Sequence, residues 1–343
     1  MSFTAIAPTD LVVSSDSVTA PAWSTNIPTL ATFFTSSTAD KTYYLDVYND
    51  SVGLTNSAIQ FSIAYGNING SGSAPLNSLI PGVSPTRINF GQFRNIIFGD
   101  AETKFNFGTG NTGSLDMIAI QIDRNRYKES LFLGTFNLGL KVGSDSLILT
   151  NNSNDVSTVT FVDGGRVYNI VSGSNGSAQS SPLISGAPAK GYTPSGSYGL
   201  FLPDIGLIVL NPKALGCPVG QGGLAISLSS TNTAAANISN LQTVYQAISA
   251  SANFQLNSQE TISSDYVFVR IPNAGYNYST NPSFVSGSSG EMIYSNFINS
   301  PQTYITTVGM YNNNNELLAV AKLSKPLVKD FTKEALVRVK LDW

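Results

Sequence analysis

Near its end the chain places Val337, Val339, Leu341 and Trp343 in strict alternation with Arg338, Lys340 and Asp342. A period of two belongs to a strand with one dry and one wet face, and no helix can present it. Chain ends fray unless a sheet holds them, so this strand is expected to sit in a packed or shared sheet with those four side chains buried. Just before it, the apolar runs 304–311 and 317–323 flank Asn312, Asn313, Asn314 and Asn315. Asparagine tolerates the left-handed backbone of tight turns, which predicts a β-hairpin there.

The same signals recur upstream. Residues 41–48 are aromatic and β-branched, with a turn at Asn49-Asp50, and residues 58–64 read as another strand. Four short β-type stretches fill 104–163, divided by Gly, Asn and Asp turns. Residues 198–210 form one apolar run suited to a buried strand. Asn211, Pro212 and Gly216 then cap, start and stop a single helical turn. Phe90, Phe93 and Ile97 share a face in a helical candidate over 90–98. The one sizeable helix is expected at 235–252, where Ile238, Leu241, Val244, Tyr245 and Ile248 line up to plug a sheet.

The expected class is therefore mainly β, with antiparallel β-sandwich-like domains, one sizeable helix and long loops. The chain is expected to divide into an N-terminal β region (1–86), a central β domain (87–171), a low-complexity loop or arm (172–197) and a C-terminal β-rich domain (198–343). The start, MSFTAIAPTDLVVSS, lacks a basic end and a long apolar core, so no leader is expected. The run 199–210 is broken by Pro203 and Asp204 and is too short to span a bilayer.

Charge narrows the function. Only 11% of the residues are charged, against roughly 25% in ordinary domains, so Ser, Thr and Asn must make up the polar surface. Such surface is cheaper to desolvate than charge and suits extensive contact with other chains. The net charge is −3 and the only basic block is C-terminal, which argues against a nucleic-acid partner. There is no histidine. The commonest general base and metal ligand are thus missing, and the chain is expected not to be an enzyme and to need no cofactor or metal. Cys217, the lone cysteine, is expected to be a small buried hydrophobe.

Several motifs still invite a site. Gly108, Gly110 and Gly113 match G-x-G-x-x-G, but a strand-like SLDMIAIQI follows where a phosphate-binding loop needs a helix. Arg124, Arg126, Lys128 and Glu129 lie in the densest charge cluster of the chain. They are either an ion-pair dock for a neighbouring subunit or a solvated strand end. Asp163-Gly164-Gly165-Arg166 reads as a hairpin turn. Asp204, Asp265 and Glu291 are the carboxylates a glycan-cleaving site would draw on, without a spacing that favours it. The candidate subunit contacts are Arg124, Arg126, Lys128, Glu129, Val337, Val339, Leu341 and Trp343.

A set of phrases resembles the virion structural proteins of contractile-tailed bacteriophages. They are RINFGQFRNIIFGD (87–100), RNRYKESLFLGTFNLGL (124–140), GGRVYNIVSGSNG (164–176), YGLFLPDIGLIVLNPKAL (198–215), YVFVRIPNAGYNYSTNPSF (266–284) and TYITTVGMYNNNNELLAVAKLSKPL (303–327). Met310 stands where Leu is expected, a volume-conserving change. The resemblance implies a β-rich, non-enzymatic baseplate or tail component, wedge-like, assembled in the host cytoplasm into the virion. Its partners would be other virion proteins and copies of itself, with no nucleic acid and no membrane. The competing expectation is a host-recognition or glycan-binding tail module, favoured by abundant Tyr and Asn and weakened by the lack of a repeat.

Overall fold

A computed structural model describes residues 11–35, 44–70, 86–108, 113–180, 187, 189–231, 233–279, 281–287 and 289–343. The chain divides into a large unit, Val18–Glu260, and a small unit made of Met1–Ser17 with Thr261–Trp343. The boundaries expected at 86, 171 and 197 fall inside one sheet. Strand Asp116–Ile122 pairs with both Ile59–Asn67 and Leu207–Leu210, and Gly165–Ser174 pairs with Gly199–Leu202.

The fold is mainly antiparallel β, with 44% strand against 16% helix among the described residues. In the large unit thirteen strands form one sheet, whose two edges are Thr29–Leu30 and Phe34–Thr35. Only three residues separate those edges, and an extended chain spans at most about 3.6 Å per residue. The sheet must therefore curl until its edges lie within roughly 14 Å of each other. The expected sandwich-like packing arises from one sheet facing itself.

Alternation sorts the side chains. Ile118, Ile120 and Ile122 join Phe61, Ile63, Phe201, Ile208 and Leu210 in the inner core. Met117, Ala119, Leu207 and Val209 face the other way, into a second core with Phe90 and Ile97. A strand buried on both faces reads as a continuous apolar run, which is why no alternation shows in these segments. Inside the curl, Trp23, Phe61, Phe136 and Phe254 meet in edge-on pairs, with Phe136 stacked on Phe201 at 4.6 Å. The Trp23 indole donates to the carbonyls of Pro28 and Phe254 at 3.1 and 3.0 Å.

Three helices serve these cores. Helix α1, Thr86–Phe98, begins one turn earlier than expected, because its first turn buries Thr86 and Asn89 rather than apolar residues. Asn89 donates its amide to the Tyr65 carbonyl at 3.0 Å. A Cβ at Gly66 would come within 2.7 Å of the Phe90 backbone, so only glycine admits this approach. Helix α2, Pro212–Leu215, is the expected single turn, capped by Asn211. The longest helix, α3, spans Ala234–Ser251 with Ala252 as its left-handed cap. It buries Leu241, Val244 and Ile248 in the inner core. With α1 at 13 residues, it is not the one sizeable helix.

Two further expectations change. Residues 198–210 form two strands, Gly199–Leu202 and Leu207–Leu210, because Pro203 and the left-handed Gly206 (φ 65°) turn the chain between them. The described residues of 172–197 are not a free arm. Ser172 and Gln179, Ser172 and Gly191, and Ser197 and Phe107 are joined by backbone hydrogen bonds.

A second sheet runs in the order Leu11–Pro21, Asn257–Ile271, Ala335–Asp342, and residues 11–17, 261–271 and 335–342 of it belong to the small unit. A separate hairpin pairs Thr303–Tyr311 with Leu317–Lys329. Its turn is built by Asn312, whose side-chain oxygen accepts from the backbone of Asn314 and Glu316 at 2.9 Å, while Asn315 takes the left-handed conformation (φ 64°). The unit also holds a short hairpin, Val285–Ser286 with Glu291–Met292, and helix α4, Ser295–Asn299.

Candidate docking surfaces

Where strand Asp116–Ile122 ends, Asp123 accepts from the Asn125 backbone at 2.9 Å and caps a 3-10 turn over Arg124–Arg126. The Arg124 guanidinium folds back, donating to the Tyr127 carbonyl at 2.6 Å and lying 4.5 Å from the Tyr127 ring centre. Tyr127 is buried against Gly206, where a Cβ would come within 2.7 Å of the ring. Its hydroxyl is pushed above its ordinary value by burial, which the Arg124 charge partly offsets. The Lys128 and Glu129 backbones donate to Ser258 Oγ (2.8 Å) and the Gln259 carbonyl (3.3 Å). Among the described residues Arg124, Arg126 and Lys128 have no carboxylate partner, and the buried Arg126 Nε has no hydrogen-bond acceptor.

Beside this turn lies a cleft of about 460 Å³ lined by Ser62, Gln121, Asp123, Arg124, Tyr127 and Asp204. Asp204 is held by Arg166, which donates its backbone N–H at 2.8 Å and its Nε at 2.9 Å. Burial pushes the Asp204 carboxyl up, but the Arg166 hydrogen bonds and charge outweigh it and hold the group below the ordinary range. Asp204 is thus an ionised structural acceptor, unsuited to donate a proton near neutrality.

Within the small unit the strand Ala335–Asp342 pairs residue by residue with 264–271, setting Val337 opposite Val269 and Val339 opposite Val267. Val337 and Val339 are buried and Leu341 is half-buried. Trp343, expected inside, is 71% exposed. The register ends at Asp342 opposite Ser264, and although the Trp343 backbone N–H still donates to the Ser263 carbonyl at 3.1 Å, its side chain stays at the surface. Its indole instead donates to Asp265 at 2.9 Å. On the other face Arg338 and Lys340 approach the Tyr266 ring at 5.6 and 6.0 Å.

The hairpin leaves much of its apolar surface to solvent. Tyr304 is 62%, Leu318 68% and Val320 57% exposed. Leu318 and Val320 alternate with half-buried Ala319 and Ala321, so one face of this strand points outward. From 317 to 343 the chain carries six basic and three acidic residues. One of the six, Lys329, is fully buried and donates to the carbonyls of Asn273 and Asp330 and to Asn277 Oδ1.

The remaining motifs are structural. Residues 109–112 of the glycine motif lie outside the described residues. Phe105 and Ser114 bridge its two sides, and strand Asp116–Ile122 follows. Asp163 and Gly164 make a two-residue hairpin turn, leaving Arg166 for Asp204. Glu291 is exposed on a two-residue strand. Cys217 is buried beside Ser195 and the Lys213 carbonyl. Among the described residues no three His, Cys, Asp or Glu side chains gather closely enough for a metal ion, and no helix is long and apolar enough to cross a membrane.

One polar cluster has no signal in the sequence beyond an aspartate opening an apolar strand. Asp116 accepts from Ser114 Oγ at 3.1 Å and from the Tyr65 hydroxyl at 3.4 Å. Burial raises the Asp116 carboxyl and pushes the Tyr65 hydroxyl to about 12.

No protein-family model, curated protein or solved structure matches this chain significantly.

Proposed function

We propose that this chain is a non-enzymatic structural subunit of a bacteriophage virion, a baseplate or tail component that docks neighbouring subunits. The observation that carries the reading is the outward apolar face of the hairpin Thr303–Tyr311/Leu317–Lys329. A two-stranded hairpin is marginally stable in water and needs a further layer. Contiguous exposed apolar surface marks an interaction site. The surrounding basic residues fit a neighbour that is apolar at its centre and acidic at its rim. Arg124, Arg126 and Lys128 offer a second, ionic contact of the kind that fixes register. The phrase-level resemblance to contractile-tail virion proteins supplies the setting.

The test is the double variant Leu318→Asp with Val320→Asp. Both side chains point to solvent, so the isolated chain should keep its circular dichroism spectrum and yet be lost from purified particles. Particles that take up the variant at normal copy number would overturn the reading.

A further inference from the structure

Between residues 271 and 315 the chain has a single charged side chain, Glu291, and yet five Tyr, two Phe and a high density of Asn and Ser. Part of this stretch folds around Phe284. The short hairpin brings Ile293 back to the Phe284 carbonyl, its backbone N–H donating at 3.0 Å, and α4 starts directly after it. The Phe284 ring then meets Tyr294 at 5.5 Å and Phe297 at 5.4 Å, both edge-on. These three rings and the side chains of Asn296, Ser300 and Gln302 line a cavity of about 340 Å³. That volume lies at the lower end of the range of about 300–1,000 Å³ typical of small-ligand sites.

The amides of this region divide by use. The Asn277 side chain is engaged in the loop itself: it donates to the Asn273 main-chain carbonyl at 2.7 Å and accepts from Lys329. Around the cavity the pattern reverses. Among the described residues, the Tyr294 hydroxyl and the side chains of Asn296, Ser300 and Gln302 have no hydrogen-bond partner. Each amide offers two donors and an acceptor, and each hydroxyl offers both roles.

We infer that this cavity binds a neutral saccharide. A sugar ring presents apolar C–H faces, which stack on aromatic rings, and a rim of hydroxyls, which pair with amides in both directions. An anionic ligand would call for a cation, and the lining has none. A purely apolar ligand would leave four polar groups desolvated without partners, at a cost the site could avoid by using apolar residues there. Tyr294, 51% exposed, provides the open face, while Phe284 and Phe297 are half-buried and hold the wall in place.

The experiment is saturation-transfer NMR on the full chain with neutral disaccharides of glucose, galactose, mannose and N-acetylglucosamine. At least one should receive saturation at its ring C–H protons. Tyr294→Ala should reduce that transfer at least tenfold, and Asn296→Ala with Gln302→Ala should reduce it severalfold. Because these side chains are exposed, circular dichroism should stay unchanged in both variants. Absence of transfer to every sugar would overturn the inference. So would transfer undiminished by Tyr294→Ala, which would place any binding elsewhere. Burial of the cavity against a neighbouring subunit in assembled particles, seen as protection of Tyr294 from chemical labelling without added sugar, would likewise overturn it in favour of a protein contact.

Discussion

Arg166 and Asp204 show how one residue pair can both shape a surface and anchor a fold. The guanidinium meets the carboxylate side-on while the Arg166 backbone N–H bonds to the same group, tying two turns of the sheet together. The Asp204 carboxyl is depressed in the folded chain. Its contribution is therefore present above the unfolded value of about 3.9 and is lost as the pH falls through the lower folded value. Hydrogen bonds to charged groups contribute about 1.5–3 kcal/mol. Both side chains are nearly a third exposed, so the low end applies. Asp204→Asn should lower stability by about 1.5 kcal/mol at neutral pH. In urea titrations across pH, its midpoint should rejoin that of the parent chain once the acid range is reached. A gap that persists at low pH would mean that packing, not charge, is lost.

At the scale of elements, the period-two signal was legible wherever one face is wet. The Asn312–Asn315 turn and both strands of its hairpin stand where the apolar runs put them, and the strand ending at Asp342 stands where the alternation put it. The signal weakened where both faces are dry, as in Gly199–Leu210, because burial on two sides erases alternation and leaves Pro203 and Gly206 as the only marks of a turn. Helix α1 lost its first turn to buried polar residues for a related reason: Thr86 and Asn89 face the sheet yet carry no apolar signature. Of the docking surfaces, the charges at 124–129 could be found in the sequence, but the curl of the sheet and the cleft at Asp204 could not, since they join residues far apart in the chain. Trp343 marks where periodicity overran the ladder. The last strand still matters: Val337 and Val339 each contribute about 1.5–3 kcal/mol by burial, and its removal would strip strand 264–271 of a full ladder. Deleting residues 336–343 should make residues 261–335 readily cleaved by trypsin, whereas Trp343→Ala should shift the unfolding free energy by no more than about 0.5 kcal/mol. Equal protease resistance of the truncated and full chains would refute this role.

For the whole molecule, the low charge content and the uneven placement of what charge exists point the same way. The chain is acidic overall at −3, while residues 317–343 carry an excess of basic groups. Such asymmetry steers encounter and orients one chain on the next, with the net affinity left to apolar contact. A surface of Ser, Thr and Asn loses little on desolvation, so many contacts can form without a large penalty for each. The saccharide cavity and the hairpin face are separate features of the small unit, and loss of one should leave the other intact. The central claim, that this chain works as a virion subunit, is tested most directly by quantitative mass spectrometry of tailed particles produced from the genome that encodes it and purified through successive density gradients. The account predicts that the chain co-migrates with infectious particles at a fixed ratio to the other virion proteins. Infectious particles free of the chain would contradict it.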